Sequence, residues 1–150
     1  KDEIVEHAAQ IYFEPQDIYS SCNNASPSAL INLDTNSNSI QSVQIELSFN
    51  PSVFYDLSIQ PFENNILGTS PKVDINEIRQ EYGRASFVIS SSETVKNNGS
   101  RNLAVLSFNT YPQPASSSAT ISFLTKSTVQ STKSRTSILT NTAPLTIHCN

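Results

Sequence analysis

Apolar and polar side chains alternate strictly over residues 42–49, and this pattern constrains the fold more than any other feature of the chain. The apolar positions are Val43, Ile45, Leu47 and Phe49, and the polar positions are Ser42, Gln44, Glu46 and Ser48. A period of two places alternate side chains on opposite faces of a β-strand, one dry and one wet. Pro51 ends the strand, because proline has no amide hydrogen to donate to a neighbouring strand.

Similar strand signals recur along most of the chain. Short apolar or alternating runs predict further strands at residues 29–33, 53–59, 73–79, 85–90, 103–111, 120–125 and 145–149. Residues 80–83 are a predicted hairpin turn, with a positive φ at Gly83, and residues 91–101 are a predicted polar loop. Eight or nine short strands with almost no helix are typical of an antiparallel β-sandwich. The fold class is therefore predicted to be all-β.

Composition favours one domain and excludes several classes of function. The chain has 150 residues and a net charge of -4, which suits a single domain with a real core. Nine basic against thirteen acidic residues argue against nucleic-acid binding. No apolar run approaches the roughly 20 residues that insertion across a membrane requires. We expect a tail or linker at residues 1–10, a domain at 11–150 and, since the chain begins without Met, a longer precursor.

Two cysteines, Cys22 and Cys149, lie far apart in the sequence. Neither has a second cysteine or a well-spaced histidine beside it, so the pattern does not favour a metal site. We interpret the pair as a disulfide that ties the first part of the fold to its last strand, rather than as a reactive thiolate. Because disulfides persist in oxidising compartments, we expect an extracellular or cell-surface location.

Four segments resemble cohesin domains in their order and spacing. The first carries an alternating strand that ends in an aromatic residue, followed by Asn, Pro, a variable residue and a Val-Phe pair. The second, residues 74–90, resembles the cohesin hairpin with Gly at its turn. The third, residues 103–108, resembles the Leu-Ala-x-Leu-x-Phe strand of cohesins, and the fourth, residues 145–147, resembles their closing strand. These segments are residues 43–54, 74–90, 103–108 and 145–147, and the resemblance extends over residues 11–149.

The resemblance implies a jelly-roll sandwich of about nine strands that binds dockerin modules. Cohesins assemble polysaccharide-degrading enzymes on scaffolds or cell surfaces in this way, without catalysing a reaction themselves. Polar positions of the dockerin-binding sheet face correspond to Ser42 and Gln44, where acidic and Asn side chains are typical of the family. The chain also departs from the family in its Cys pair, in its few glycines and in Asn50, where Asp is usual.

A polar sheet face is the predicted interaction surface. Short polar side chains with one apolar residue among them suit a flat protein interface. The predicted partner-binding residues are Ser42, Gln44, Glu46, Asp74, Asn76, Ser86 and Val88. The alternative is that these residues only face water, as half of any sandwich strand must. The resemblance favours the interface.

Catalytic and metal-binding patterns are weak. The two histidines, His7 and His148, fall in no nucleophile motif, so no catalytic residue and no enzyme activity is predicted. Residues 34–38 match the first half of a calcium loop, but Ser39 replaces the expected Gly and Ile45 the expected Glu. A polar turn explains the segment equally well, so calcium is not favoured and no cofactor is predicted.

Carbohydrate binding is the main alternative function. Aromatic side chains grip flat polysaccharides, yet the chain has no Trp, and its tyrosines do not recur at a spacing that places three on one strand face. The candidates are Tyr12, Tyr19, Tyr55, Tyr82 and Tyr111. A soluble-glycan cleft stays open as a hypothesis. A purely structural envelope or spacer domain is the second alternative.

Overall fold

Eleven β-strands dominate the computed structural model of the chain, which describes residues 8–91, 101–133, 137–140 and 142–150. His7, most of the predicted tail and most of the polar loop at 91–101 lie outside the described residues. The strands are β1 (Gln10–Glu14), β2 (Asp17–Ser20), β3 (Ser28–Asp34), β4 (Ile40–Ser48), β5 (Phe54–Pro61), β6 (Lys72–Arg79), β7 (Arg84–Ser90), β8 (Asn102–Thr110), β9 (Ser118–Phe123), β10 (Thr128–Ser131) and β11 (Leu145–Cys149).

The strands form two sheets, which confirms the predicted sandwich. One sheet has four strands in the order β1-β3-β8-β5. The other has seven, in the order β2-β11-β9-β4-β7-β6, with β10 also paired to β4. The pairs are antiparallel, apart from a parallel pair between β2 and β11.

The strand count in the described chain exceeds the prediction of about nine. The N-terminal β segment divides at Pro15, so β1 joins the four-stranded sheet and β2 joins the other. The second addition is β10, in a Ser/Thr-rich stretch that carries one apolar side chain, Val129. A single inward residue gives no detectable period, which is why the alternation did not indicate this strand.

Alternating side chains fill the space between the sheets. Val43, Ile45 and Leu47 of β4 are fully buried, as the period-two pattern predicts. Phe54 of β5 and Phe108 of β8 pack edge to face, with ring centroids 5.3 Å apart. Burying each such side chain contributes about 1.5–3 kcal/mol, so this core is the main stabilising element of the fold.

The turn between β6 and β7 forms as predicted. Gln80–Tyr82 make one turn of 3-10 helix, and Gly83 follows with φ of 63°. A Cβ on Gly83 would lie well inside van der Waals contact with the carbonyl oxygen of Phe49. Glycine is therefore required both by the backbone angle and by the close approach of a second strand.

The first described strand and the last strand are both tied into the domain. Cys22 and Cys149 form the predicted disulfide, with an S–S distance of 2.08 Å and a sequence separation of 127. Ala9 is fully buried and forms a parallel bridge with Leu139, and β1 begins at Gln10. Over the residues that the structure describes, we find no helix with the length and hydrophobicity that a bilayer crossing requires.

Candidate functional site

The outer surface of the seven-stranded sheet brings five predicted partner-binding residues together. In the register of β4 and β7, Gln44 lies opposite Val88, and Glu46 lies opposite Ser86. Ser42 occupies the next outward position of β4, opposite Ser90. These side chains are half-buried and share one surface, because residues opposite each other in a ladder project to the same side of the sheet.

The adjacent strand β6 departs from the predicted pattern. A bulge between Val73 and Ile75 shifts its register, so that Ile75 lies opposite Val88 and Asn76 lies opposite the buried Phe87. One extra residue in a strand moves every later side chain to the other face. Ile75 therefore occupies the outward position that alternation had assigned to Asn76.

The remaining two predicted partner-binding residues, Asn76 and Asp74, both lie on β6 and have different surroundings. Asn76 turns to the opposite side of the sheet, where its Nδ2 donates to the carbonyl oxygen of Ile59 at 2.9 Å. The expectation that Asn76 shares the surface with Val88 is corrected by this contact. Asp74 lies at the bulge, accepts a hydrogen bond from Ser90 Oγ at 2.8 Å, and stays next to the surface.

We define the β6–β7–β4 face by its outward side chains. They are Ser42, Gln44 and Glu46 of β4, Arg84, Ser86 and Val88 of β7, and Ile75, Glu77 and Arg79 of β6. Its centre is fixed by hydrogen bonds, since Glu46 Oε1 accepts from Gln44 Nε2 at 3.0 Å and from Ser86 Oγ at 3.0 Å. Ile75 is 45% exposed and adds an apolar contact area. A fixed polar centre beside exposed apolar surface suits protein binding.

A depression of about 280 Å³ lies at the end of this face nearest Gly83. Its rim includes Tyr82 from the β6–β7 turn and Lys126 from the turn between β9 and β10. Sequence reasoning had assigned neither residue to the interaction surface. The alternation of β7 extends to Arg84 and would have found that residue, whereas the pairing of β9 and β10 along β4 has no sequence signal.

The calcium-like segment is a turn held by its own side chains. Asp34 Oδ1 accepts from the Asn36 amide at 3.0 Å, and Asn38 Nδ2 donates to the Thr35 carbonyl at 2.8 Å. In the described residues, no three His, Cys, Asp or Glu side chains gather closely enough to hold a metal ion.

His148 Nε2 lies 2.9 Å from Asp17 Oδ1 at the exposed edge formed by β2 and β11.

The five candidate tyrosines are scattered over the molecule. Tyr55 and Tyr111 stack with their ring centroids 4.2 Å apart beside the four-stranded sheet. Tyr19 stacks on His148, and Tyr82 lies on the β6–β7 turn. Tyr12 hydrogen-bonds with Arg101, and this bond raises the pKa of the arginine above its usual value. Only one pair of the five is brought together.

Comparison with solved structures decides the fold. The third cohesin of ScaC from Acetivibrio cellulolyticus, solved with the ScaB dockerin, superposes with a TM-score of 0.73 at 13% identity, covering 94% of this chain and 98% of that one. The chain has the cohesin fold. This result confirms the jelly-roll prediction.

Two further cohesin structures agree over almost the whole chain. CaCohA2 from Clostridium acetobutylicum gives a TM-score of 0.71 at 13% identity and covers 97% of this chain and 92% of that one. Coh-OlpC from Clostridium thermocellum, solved with the dockerin Doc435, gives 0.71 at 10% identity and covers 100% and 99%. No family model matches the sequence. No curated protein matches it either. The likeness to cohesins therefore lies in the fold.

Proposed function

We propose that this chain is a non-catalytic docking module that binds a dockerin-type protein partner through the β6–β7–β4 face. The observation that carries the proposal is the match of nearly the full chain to cohesins solved in complex with dockerins. The fixed Gln44–Glu46–Ser86 hydrogen bonds add support, because side chains that are already ordered lose less entropy on binding.

The same proposal places the protein at an extracellular or cell-surface assembly that degrades polysaccharide. The disulfide between Cys22 and Cys149 supports an oxidising environment. The sixth cohesin of scaffoldin B from Acetivibrio cellulolyticus, which was solved with the Cel5 dockerin, has the same fold at a TM-score of 0.70 and 13% identity. A scaffold that gathers secreted enzymes is the setting in which such a module would act.

The test is direct binding to dockerins. The chain is immobilised, and the ScaB, Cel5, Doc435, Doc918 and CaDoc0917 dockerins are titrated against it by surface plasmon resonance, beside a pull-down from the secreted and envelope fraction of the source organism. Saturable 1:1 binding of a dockerin supports the proposal. Failure of every dockerin, in the panel and in the fraction, would overturn it.

Matched variants locate the binding surface. Gln44→Arg places a long cation at the centre of the β6–β7–β4 face and is expected to weaken dockerin binding by about tenfold or more. Gln60→Arg is the control, because Gln60 is exposed on β5 in the opposite sheet. Equal effects of the two substitutions would place the partner elsewhere.

A second candidate function, glycan binding, has one specific observation in its favour. Tyr111 is 43% exposed and stacks on Tyr55, next to Asn109 and Asp56, whose side chains share a hydrogen bond of 3.3 Å. An aromatic ring beside fixed polar groups can stack on a sugar and bond its hydroxyls. A glycan array with wild type and Tyr111→Ala tests this function. If the chain bound neither a glycan nor a dockerin, the hypothesis of a structural spacer domain would remain.

A further inference from the structure

The depression beside Gly83 carries an unusual arrangement of charge. Arg79 of β6 lies directly opposite Arg84 of β7, and both project from the β6–β7–β4 face. Lys126, on the turn between β9 and β10, lines the same depression from the other side of β4. Like charges directly opposite each other in a sheet are unfavourable, so this arrangement lowers stability unless another group neutralises it.

Arg79 and Arg84 have different hydrogen-bond partners. Arg79 Nε donates to Glu77 Oε1 at 2.7 Å, and this bond is the main reason why the pKa of Arg79 is raised above its usual value. Within the described ranges, the partners of Arg84 Nη1 are backbone carbonyl oxygens, those of Gly83 at 3.0 Å and Tyr82 at 3.4 Å. Carbonyl groups orient the guanidinium but carry no net charge to neutralise it.

Two cations therefore stay without a carboxylate. In the described part of the chain, no Asp or Glu oxygen lies within 4.0 Å of Arg84 or Lys126. The depression also contains two carboxylates: Glu77 is bonded to Arg79, and Glu46 keeps its negative charge, because its hydrogen-bond donors Gln44 and Ser86 are uncharged. Three cations against two carboxylates leave an excess of one positive charge. The charge left over is positive, in a chain whose net charge is -4.

The rim also has the composition of a binding hot spot. Tyr82 is 66% exposed, which is a large area for an aromatic side chain on a turn that Gly83 holds in place. Tyr and Arg are enriched among the residues that dominate interface energies. An oriented guanidinium presents parallel donors that match the two oxygens of a carboxylate.

We infer that this depression accepts an acidic side chain, Asp or Glu, of the docked partner, between Arg84 and Lys126 and against the ring of Tyr82. The inference rests on the proposed docking function and adds to it the chemistry of one contact. It assigns specificity to residues at the end of the face, outside the set that the strand alternation predicts. The single negative charge of the bound carboxylate offsets the excess positive charge of the depression.

Charge reversal with a matched control tests the inference. Arg84→Glu and Lys126→Glu each are expected to weaken binding of the captured dockerin by about tenfold or more. Lys133→Glu is the control, because Lys133 is exposed just after β10, at the end of β4 far from Gly83, and its reversal changes the net charge by the same amount. We expect its effect to stay within about twofold, since distant exposed charges are screened by salt.

A charge swap identifies the partner's acid. Each Asp and Glu of the dockerin is changed to Lys, and each variant is titrated against wild type and against Lys126→Glu. The inference predicts one dockerin variant that binds wild type poorly and regains affinity for Lys126→Glu. Lys126 lies on an exposed turn, so this variant is expected to fold even if Arg84→Glu does not, and thermal melts of both report folding.

The outcomes separate this inference from the proposed function. If wild type binds no dockerin, the docking function and this contact are both overturned. If wild type binds and both reversals behave like Lys133→Glu, the docking function stands and only the acidic contact is overturned. A loss confined to Arg84→Glu and Lys126→Glu, with one rescuing dockerin variant, supports both.

Discussion

Asn76 Nδ2 donates a hydrogen bond to the carbonyl oxygen of Ile59, 2.9 Å away on the opposite sheet. The bond fastens β6, an edge strand, to β5. It exists because the bulge at Val73–Ile75 turns Asn76 away from the β6–β7–β4 face. The side chain that alternation assigns to the interaction surface thus has a structural contact instead.

Asn76→Ala is therefore expected to lower stability and to spare partner binding. Loss of one partly exposed hydrogen bond costs about 1 kcal/mol or less, or a few degrees in Tm. Ile75→Lys is the counterpart, and we expect it to weaken dockerin binding without a comparable loss of stability, since Ile75 is 45% exposed. Thermal melts and binding titrations of both variants check this. If instead Asn76→Ala weakened binding and Ile75→Lys lowered stability, Asn76 would face outward and β6 would have no bulge.

This bulge illustrates what sequence reasoning can reach in such a chain. The strong alternation in β4 and β7 predicted five residues of the surface correctly as neighbours, since one buried face fixes the register. The bulge in β6 has no marker, because Asp74 fits a strand pattern equally well with or without an extra residue. Only the partner strand reveals the shift.

The depression shows a second limit. Lys126 reaches it because β9 and β10 both pair with the same edge of β4, separated by a turn. β10 has one buried apolar side chain and no period, so local pattern cannot place it. The fold class, in contrast, depends on many strands at once and tolerates such local omissions. The sandwich was predictable for that reason, whereas the Gly83 turn and the disulfide were predictable from single residue types, a glycine at a turn and one pair of cysteines.

Gly83→Ala is expected to destabilise the domain strongly. A residue with a Cβ loses about 1–2 kcal/mol in the left-handed region, and overlap with the Phe49 carbonyl adds about 1–3 kcal/mol. Urea unfolding measures the sum. Gly83→Asn separates the causes, because Asn tolerates a positive φ but still carries a Cβ. If Asn restored full stability, the close approach to Phe49 would be shown to cost nothing.

Ser127→Ala is expected to weaken the link between β4 and the β9–β10 turn. Ser127 Oγ accepts from the Glu46 amide at 3.0 Å and donates to the Glu46 carbonyl at 3.1 Å, and the same carbonyl also accepts from the Leu124 amide at 2.7 Å. Removing a buried partner of this kind costs about 1–3 kcal/mol. Hydrogen exchange should show faster exchange at the Glu46 amide. Ser122→Ala on β9 is the control, and similar effects of both would refute the assignment.

Reduction of the disulfide is expected to give the largest loss of stability. Cys22 and Cys149 are separated by 127 positions, and closing a loop of that length lowers the entropy of the unfolded chain by an equivalent of about 5 kcal/mol, as an upper figure. The folded state should survive, because β2 and β11 are also held by backbone pairing. Urea unfolding with and without dithiothreitol measures the difference.

The double variant Cys22→Ala, Cys149→Ala separates the covalent link from side effects of the reductant. Its unfolding midpoint should match that of the reduced wild type and should not respond to dithiothreitol. Because the link joins the ends of β2 and β11, hydrogen exchange in the variant should rise first at Asp17–Ser20, an edge strand whose parallel partner is β11. Equal midpoints for the oxidised wild type and the variant would mean that the loop is already constrained in the unfolded chain, so that the disulfide adds no stability.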